Sequence, residues 1–251
     1  METIKILGIS GSPRKGNTEY VVQRALEAAE SIGNVETEFV SLRQKFVKPC
    51  TADYLCFKKG TPEVPCVSIT DDDGNEVLKK MLHADGILVG SPVYWGGLSA
   101  QTKAFFDRTL ALEALGTTFG NKVGGALAVG YERNGGLEPT LFDIIRWMMV
   151  HDMIVVGVGP ERPGKTGMGT YWGGICTQGF PYPLPSPTKE ARKGALQDEV
   201  GINSVIGVAK KVAETAKLIK AGFRSLPKEE LAWPPDVKME MHEKYSKVQF
   251  T

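Results

Sequence analysis

Five short apolar runs alternate along the chain with segments of helical periodicity, and this alternation limits the possible folds more than any other feature. The runs cover residues 4–9, 35–42, 86–90, 123–130 and 153–158. Helices are predicted after a cap at Asn17 or Thr18 up to about residue 32, and at about residues 99–115, 137–150 and 203–221. Strand-length runs separated by helical patterns are typical of a parallel sheet with crossover helices. Because crossovers are right-handed, few topologies remain, and we expect a doubly wound five-stranded parallel α/β sheet in the order 2-1-3-4-5.

The remainder of the 251-residue chain is predicted to be attached to this sheet. We assign residues 1–222 to one α/β domain, with a cysteine-containing insertion at about residues 45–75. Residues 223–251 form a C-terminal extension, for which an oligomer contact and a frayed end are equally open. Residues 159–187 are long for a connection, and we expect either a wall of a substrate pocket or an ordered surface loop.

Composition argues against several classes of partner. Thirty basic and twenty-nine acidic side chains give a net charge of +1, whereas nucleic-acid and membrane surfaces usually need a marked basic excess. No apolar run approaches the ~20 residues of a membrane span, and the first residues lack the pattern of a signal peptide. We therefore expect a cytoplasmic protein with no nucleic-acid or membrane partner.

The loop after the first predicted strand, SGSPRKGNT at residues 10–18, has the composition of a phosphate site. It places hydroxyls, an amide and two cationic side chains at the start of a helix, where free backbone N–H groups and the helix dipole favour an anion. An ordinary polar turn is the alternative. The spacing is not GxGxxG, and no acidic residue ends the second strand to bind a ribose, so a dinucleotide site is disfavoured.

Two later loops follow the third and fourth predicted strands, at the sheet edge where open α/β sheets bind ligands. The first of these, SPVYWGG at residues 91–97, offers two flat aromatic faces and two glycines that allow close backbone approach. Both aromatics could instead belong to the core. The second, at residues 131–136, contains Glu132 and Arg133, which are either ligand contacts or solvated charges.

Together these segments resemble those of a known family. GISGSPRKGNTEYVVQRAL, ADGILVGSPVYWGGLSAQTKAFFDR and GYERNGGLEPTL are similar to the three flavin-contacting segments of the NADPH-dependent FMN reductase and iron–sulfur flavoprotein family, which has a flavodoxin-like fold. The resemblance implies that the first segment holds the FMN phosphate and that the second borders the isoalloxazine ring. The third segment is implied to close over the other side of this ring. The implied contacts are Ser10, Ser12, Pro13, Arg14, Asn17 and Thr18; then Pro92, Val93, Tyr94, Trp95 and Gly96; then Tyr131, Gly135 and Gly136.

The resemblance also implies an activity and an assembly. An FMN-binding oxidoreductase would pass electrons or hydride from NAD(P)H or a reduced carrier to an acceptor, with the flavin supplying the chemistry and no side chain obliged to act as acid or base. The alternative is a non-enzymatic electron-transfer protein, which is often strongly acidic, so the net charge of +1 disfavours it. Family members imply a homodimer or homotetramer.

Three cysteines, Cys50, Cys56 and Cys66, are candidate metal ligands. The iron–sulfur branch of the family carries a compact motif of four cysteines, but here Asp53 stands where the second would be and the gap to Cys66 is longer. A cubane cluster needs four ligands, usually thiolates. An iron–sulfur cluster and a lost cluster with retained cysteines therefore both remain open, whereas zinc fits poorly without a nearby histidine.

Residues 159–166, GPERPGKT, match the P-loop pattern literally. The motif works only where a helix follows, and here glycines follow instead. Pro160 and Pro163 also remove two of the backbone donors that would hold a phosphate. We therefore disfavour nucleotide hydrolysis.

Overall fold

A computed structural model describes residues 3–116, 119–158, 170–178 and 191–231. The P-loop-like segment at 159–166 and the extension beyond residue 231 lie outside the described residues. Within the described part of the chain, no helix combines the length and apolar character needed to cross a membrane.

The strands form one parallel sheet in which the order 2-1-3-4-5 is confirmed. Each of the first four strands pairs in parallel with its neighbours over several residues. A sixth strand pairs with β4 beyond the end of β5. The strands are β1 (Ile4–Ser10), β2 (Val35–Ser41), β3 (Gly86–Pro92), β4 (Val123–Gly130), β5 (Ile154–Val155) and β6 (Gly174–Thr177).

Helices cover both faces of the sheet, because β3 and β4 are apolar on both faces and are buried throughout. One apolar cluster joins the sheet to α1 and α7, and a second joins it to α3, α4, α5 and α6. The helices are α1 (Asn17–Glu30), α2 (Leu55–Lys59), α3 (Gly74–His83), α4 (Ala100–Arg108), α5 (Leu110–Glu113), α6 (Leu137–Val150) and α7 (Glu199–Ser225).

The fifth strand differs from its prediction as a single run over residues 153–158. Ile154 and Val155 pair with the beginning of β4, and β6 pairs with its last four residues. The chain thus leaves the sheet after β5 and returns beside the same strand. The short run GICT of β6 lies within a Gly- and aromatic-rich stretch, a composition that favours a loop over a strand.

The predicted insertion at residues 45–75 lies against α4 and contains one short helix, α2. Arg108, at the end of α4, forms hydrogen bonds near both ends of this insertion. The Arg108 guanidinium donates to the backbone oxygens of Lys48 at 3.1 Å and Ile69 at 3.2 Å, and it pairs with the carboxylate of Asp72. This arrangement fixes the cysteine-containing segment to the body of the domain.

Candidate functional site

The first loop joins the end of β1 to the start of α1 at the carboxyl edge of the sheet. The Ser10 hydroxyl is completely buried and has no hydrogen-bond partner among the described residues. Thr18 is buried in the first turn of α1, while Pro13 and Arg14 are exposed. The first intrahelical bond runs from the Tyr20 N–H to the Gly16 oxygen, so helix geometry leaves earlier N–H groups without an intrahelical acceptor.

Hydrogen bonds within this loop and to its neighbours hold its shape. The Ser12 hydroxyl donates to the Arg14 backbone oxygen at 2.7 Å and accepts the Arg14 N–H at 3.2 Å. Gly11 donates its N–H to Gly90 of β3 at 2.7 Å, and its oxygen accepts the Ser99 hydroxyl at 2.7 Å. The loop is therefore fixed from both sides before any ligand arrives.

The second loop is a tight two-residue turn. Tyr94 and Gly97 exchange backbone hydrogen bonds of 2.9 and 3.1 Å, and both residues between them have positive φ, 49° at Trp95 and 82° at Gly96. Glycine adopts this conformation without strain, but a bulky side chain does so only at a cost. The Trp95 side chain is nonetheless fully exposed, so the turn presents an indole to solvent at the sheet edge.

The second and third loops meet at two glycines. Gly136, which precedes α6, has a φ of 112°, and a Cβ placed on it would lie 2.6 Å from the Cα and oxygen of Gly96. Pro92 and Val93, at the start of the second loop, are tied to β4, since Pro92 pairs with Val129 and the Val93 N–H donates to the Val129 oxygen at 2.9 Å. The structure thus brings the second loop against the third, as the prediction of a shared site requires.

Two contacts of this region have no signal in the local sequence. The Asn17 side-chain oxygen accepts the N–H of Ala195 at 3.0 Å, so this predicted phosphate contact is engaged on its oxygen side. Arg133 of the third loop donates to the carboxylate of Asp198 at 3.2 Å. Residues 193–198, which we call the connecting segment, therefore touch both the first and the third loop. These contacts join positions 178 and 65 residues apart in sequence.

The three predicted metal ligands come together, but not as a metal site. Cys50, Cys56 and Cys66 line one small cavity of about 10 Å³ together with Asp53 and Arg108. Burial, with a smaller contribution from the neighbouring Cys66 and Cys50 thiols, raises the pKa of Cys56 to about 11. Among the described residues, no group of three or more His, Cys, Asp or Glu side chains has an arrangement that could hold a metal ion.

Asp53, which occupies the second motif position, already has partners for both carboxylate oxygens. One oxygen accepts the Ser68 hydroxyl at 2.7 Å and the Leu55 N–H at 3.0 Å, and the other accepts the Thr51 hydroxyl at 2.8 Å. The hydrogen bonds from Ser68 and Leu55 lower the pKa of this carboxyl. A four-iron cluster needs four ligands and more room than one water molecule. As folded here, the residues of this cavity do not fit such a cluster.

The first loop, by contrast, fits a phosphate. Its buried hydroxyl at Ser10 lacks a partner, the N-terminus of α1 supplies backbone donors, and Arg14 and Lys15 add exposed positive charge. The second loop supplies a planar surface one strand away. A mononucleotide with a flat ring matches this combination of groups.

Comparisons with known proteins identify the family of this chain. The model of the NADPH-dependent FMN reductase family matches residues 4–159. An iron-sulfur flavoprotein of Methanocaldococcus jannaschii is 42% identical over 220 residues, which cover 86% of this chain and 100% of that protein.

Two solved structures show the same flavodoxin-like fold at low identity. RosB with a bound riboflavin phosphate derivative superposes with a TM-score of 0.64 at 15% identity, over 99% of this chain and 89% of RosB. A WrbA-like flavodoxin from Agrobacterium tumefaciens gives 0.52 at 17% identity, over 88% and 99% of the two chains. Since the family model spans more than half of the sequence, this chain belongs to the NADPH-dependent FMN reductase family.

Proposed function

We propose that the protein binds FMN across its three loops and acts as an oxidoreductase that takes electrons or hydride from NAD(P)H or a reduced carrier. The buried Ser10 hydroxyl carries this proposal, because an unpartnered buried donor is costly unless a ligand satisfies it. When bound, FMN supplies the redox chemistry, so the protein needs only to bind, orient and shield it.

The residues divide this work by position. Ser10, Ser12, Thr18 and the start of α1 are proposed to hold the phosphate, with Asn17 donating from its amide while Ala195 occupies its oxygen. Tyr94 and Trp95 are proposed to border the ring on one side, and Tyr131, Gly135 and Gly136 on the other. Both sides are exposed enough for a ligand to enter, since Tyr94 and Tyr131 are not buried.

A titration of the purified flavin-free protein with FMN tests the binding step. We expect saturable quenching of FMN fluorescence at one flavin per chain, with riboflavin binding far more weakly because it lacks the phosphate. Equal affinity for riboflavin and FMN would contradict a phosphate site in the first loop.

Steady-state assays then separate an enzyme from a carrier. We expect the FMN-loaded protein to oxidise NADPH or NADH with ferricyanide as an artificial acceptor. If neither nucleotide reduces the bound flavin but dithionite does, the alternative of a non-enzymatic electron-transfer protein is favoured. The family name supports the first outcome.

An iron–sulfur cluster is the second candidate cofactor, supported by the three cysteines of one cavity and by the name of the M. jannaschii relative. Because both carboxylate oxygens of Asp53 already accept hydrogen bonds, we expect flavin without stoichiometric iron in anaerobically purified protein. Asp53→Cys, which restores a fourth thiol, is the matched variant. Four irons and four sulfides per chain in the unmodified protein would overturn this expectation.

The proposal also covers assembly and location. A homodimer or homotetramer in the cytoplasm remains our expectation, with the C-terminal extension as a candidate contact. Light scattering of the holoprotein measures the oligomeric state, and a monomer at micromolar concentration would contradict the expected homodimer or homotetramer.

A further inference from the structure

The carboxylate of Asp198 joins three separate parts of the protein. Oδ2 accepts the Thr177 N–H at 2.9 Å and the Thr177 hydroxyl at 3.0 Å, while Oδ1 accepts the Gly201 N–H at 3.1 Å. The third partner is Arg133, whose Nη2 donates to Oδ2 at 3.2 Å. Asp198 therefore connects the end of β6, the start of α7 and the third loop.

The third loop depends on outside support because its residues are largely exposed. Residues 131–135 are all exposed, and within the loop the Gly135 N–H bonds the Glu132 oxygen at a long 3.4 Å. Arg133 also donates to the Thr177 hydroxyl at 3.3 Å. Its guanidinium thus ties a solvent-exposed loop to a side chain, Asp198, that is only 6% exposed.

The charge on Asp198 is maintained by its surroundings. Burial raises the pKa of this carboxyl, but the hydrogen bonds from Thr177 and Gly201 and the positive charge of Arg133 outweigh burial and leave the pKa below its usual value. Asp198 is accordingly an anion at neutral pH, with Arg133 as its cationic partner. The pair is half accessible, since the Arg133 side chain is 52% exposed.

The connecting segment, residues 193–198, also contacts the first loop. The Ala195 N–H donates to Asn17, and Ala195 is completely buried. Gly194 packs so closely that a Cβ there would lie 2.1 Å from the oxygen of Gln178, whose N–H bonds Gly130 at the end of β4. The connecting segment is therefore held between the first and third loops by backbone as well as side chain.

We infer that Asp198 is a positioning residue for the flavin site: through Arg133 it ties the third loop to β6 and α7 and so fixes the position of the loop that ends at Gly136. This inference rests on the proposed function, because it assigns Asp198 a role in a site that binds FMN. Asp198 itself is not placed in contact with the flavin.

The test is a double-mutant cycle with Asp198→Asn and Arg133→Gln. Asparagine keeps the shape and the N-cap acceptor of aspartate, but it removes both the charge that holds Arg133 and the acceptor of the Thr177 N–H. We expect each single variant to raise the Kd for FMN about fivefold, as for one partly exposed ion pair, and to change the visible circular dichroism of the bound flavin. The double variant should be no worse than Asp198→Asn alone, because that variant already breaks the link that Arg133→Gln removes.

Glu214→Gln is the control, since Glu214 forms an ion pair with Lys211 on α7 away from the loops, and both of these side chains are half exposed. It should leave both the FMN affinity and the flavin spectrum unchanged. Wild-type values for Asp198→Asn, or additive effects in the double variant, would overturn the inference.

Hydrogen exchange on the flavin-free protein separates this inference from the proposed function. We expect the amides of residues 131–136 to exchange faster in both flavin-free single variants than in the flavin-free unmodified protein. If the unmodified protein takes up no FMN, the proposed function fails. Unchanged exchange in the loop defeats the positioning role even when FMN binds normally.

Discussion

Arg108 and Asp72 form an ion pair inside the protein, with 2.5 Å between Nη1 and Oδ2 and side chains that are 1% and 0% exposed. The Arg108 Nε is also buried and has no partner among the described residues. A buried pair contributes little by itself, but removal of one member leaves the other charge buried and uncompensated. The pair therefore fixes the geometry of the cysteine-containing segment more than it adds net stability.

Arg108→Met should lower the free energy of unfolding by about 3–5 kcal/mol, because Asp72 then remains buried without its cation. Urea denaturation followed by circular dichroism measures the change. Lys103→Met, which removes an exposed pair with Asp107 on the same helix, should cost less than about 1 kcal/mol. Equal losses in the two variants would contradict the buried role of Arg108.

The pH dependence of stability should report Asp72. Burial raises the pKa of its carboxyl, but hydrogen bonds from Arg108 and from the Lys48 and Gly74 N–H groups outweigh this and lower the pKa below its ordinary value. A carboxyl with a depressed folded pKa stabilises the protein above its unfolded pKa, and this contribution is lost as the pH falls through the folded pKa.

We therefore expect the unmodified protein to lose more stability than Asp72→Asn when the pH falls from about 5 to below the ordinary aspartate value of about 3.9. Urea unfolding at a series of pH values measures this difference. Parallel stability curves for the two proteins would show that Asp72 does not contribute to acid sensitivity.

Ser10→Ala should separate ligand binding from folding. Because the Ser10 hydroxyl has no partner in the folded chain, its removal should leave the stability of the flavin-free protein unchanged or slightly higher. The Kd for FMN should rise about tenfold, as expected for one lost hydrogen bond to a charged group. A stability loss with unchanged FMN affinity would place the hydroxyl in a structural role instead.

Gly136→Ala should disturb the contact between the second and third loops. The added Cβ would meet the Gly96 backbone at 2.6 Å and would force a non-glycine residue to a φ of 112°. We expect the free energy of unfolding to fall by about 1–3 kcal/mol and FMN binding to weaken. Gly33→Ala is the control, since Gly33 has a φ of 75° but an added Cβ would meet nothing within 4 Å. This variant should lose some stability through backbone strain but keep its affinity for FMN.

Thiol alkylation should distinguish the three clustered cysteines. With a pKa of about 11, Cys56 is about 0.1% thiolate at pH 8, and it is also buried. Cys50, which is half-buried, should react with iodoacetamide first, as mapped by mass spectrometry. Faster modification of Cys56 than of Cys50 would indicate that the segment opens or holds its thiolates in another arrangement.

The sequence was most informative where burial decides local structure. β4 and α6 begin and end at the predicted residues, because apolar runs bounded by turn residues leave little choice. The helix predicted for residues 99–115 is instead divided into α4 and α5 at Thr109, and α7 extends beyond both predicted ends. Helix ends depend on caps and tertiary contacts, which periodicity does not encode.

The candidate site divides in the same way. Its three loops could be predicted, since each follows a strand at the edge where such sheets bind ligands. The role of Asp198 could not be predicted, because its ion pair with Arg133 forms only when β6 and α7 have folded. The helix cap also falls on Gly16 rather than on Asn17 or Thr18, since Asn17 is used to bind the connecting segment.

Two short strands, β5 and β6, together occupy the position beside β4 in the sheet, and this affects how the family can diverge. Because β5 and β6 both pair with β4, the chain between them departs from and returns to one fixed strand. Changing the length of such an excursion costs little, only about 0.6 kcal/mol for each doubling of a flexible loop. The length of that excursion can therefore change within the family while the sheet and the first loop remain untouched.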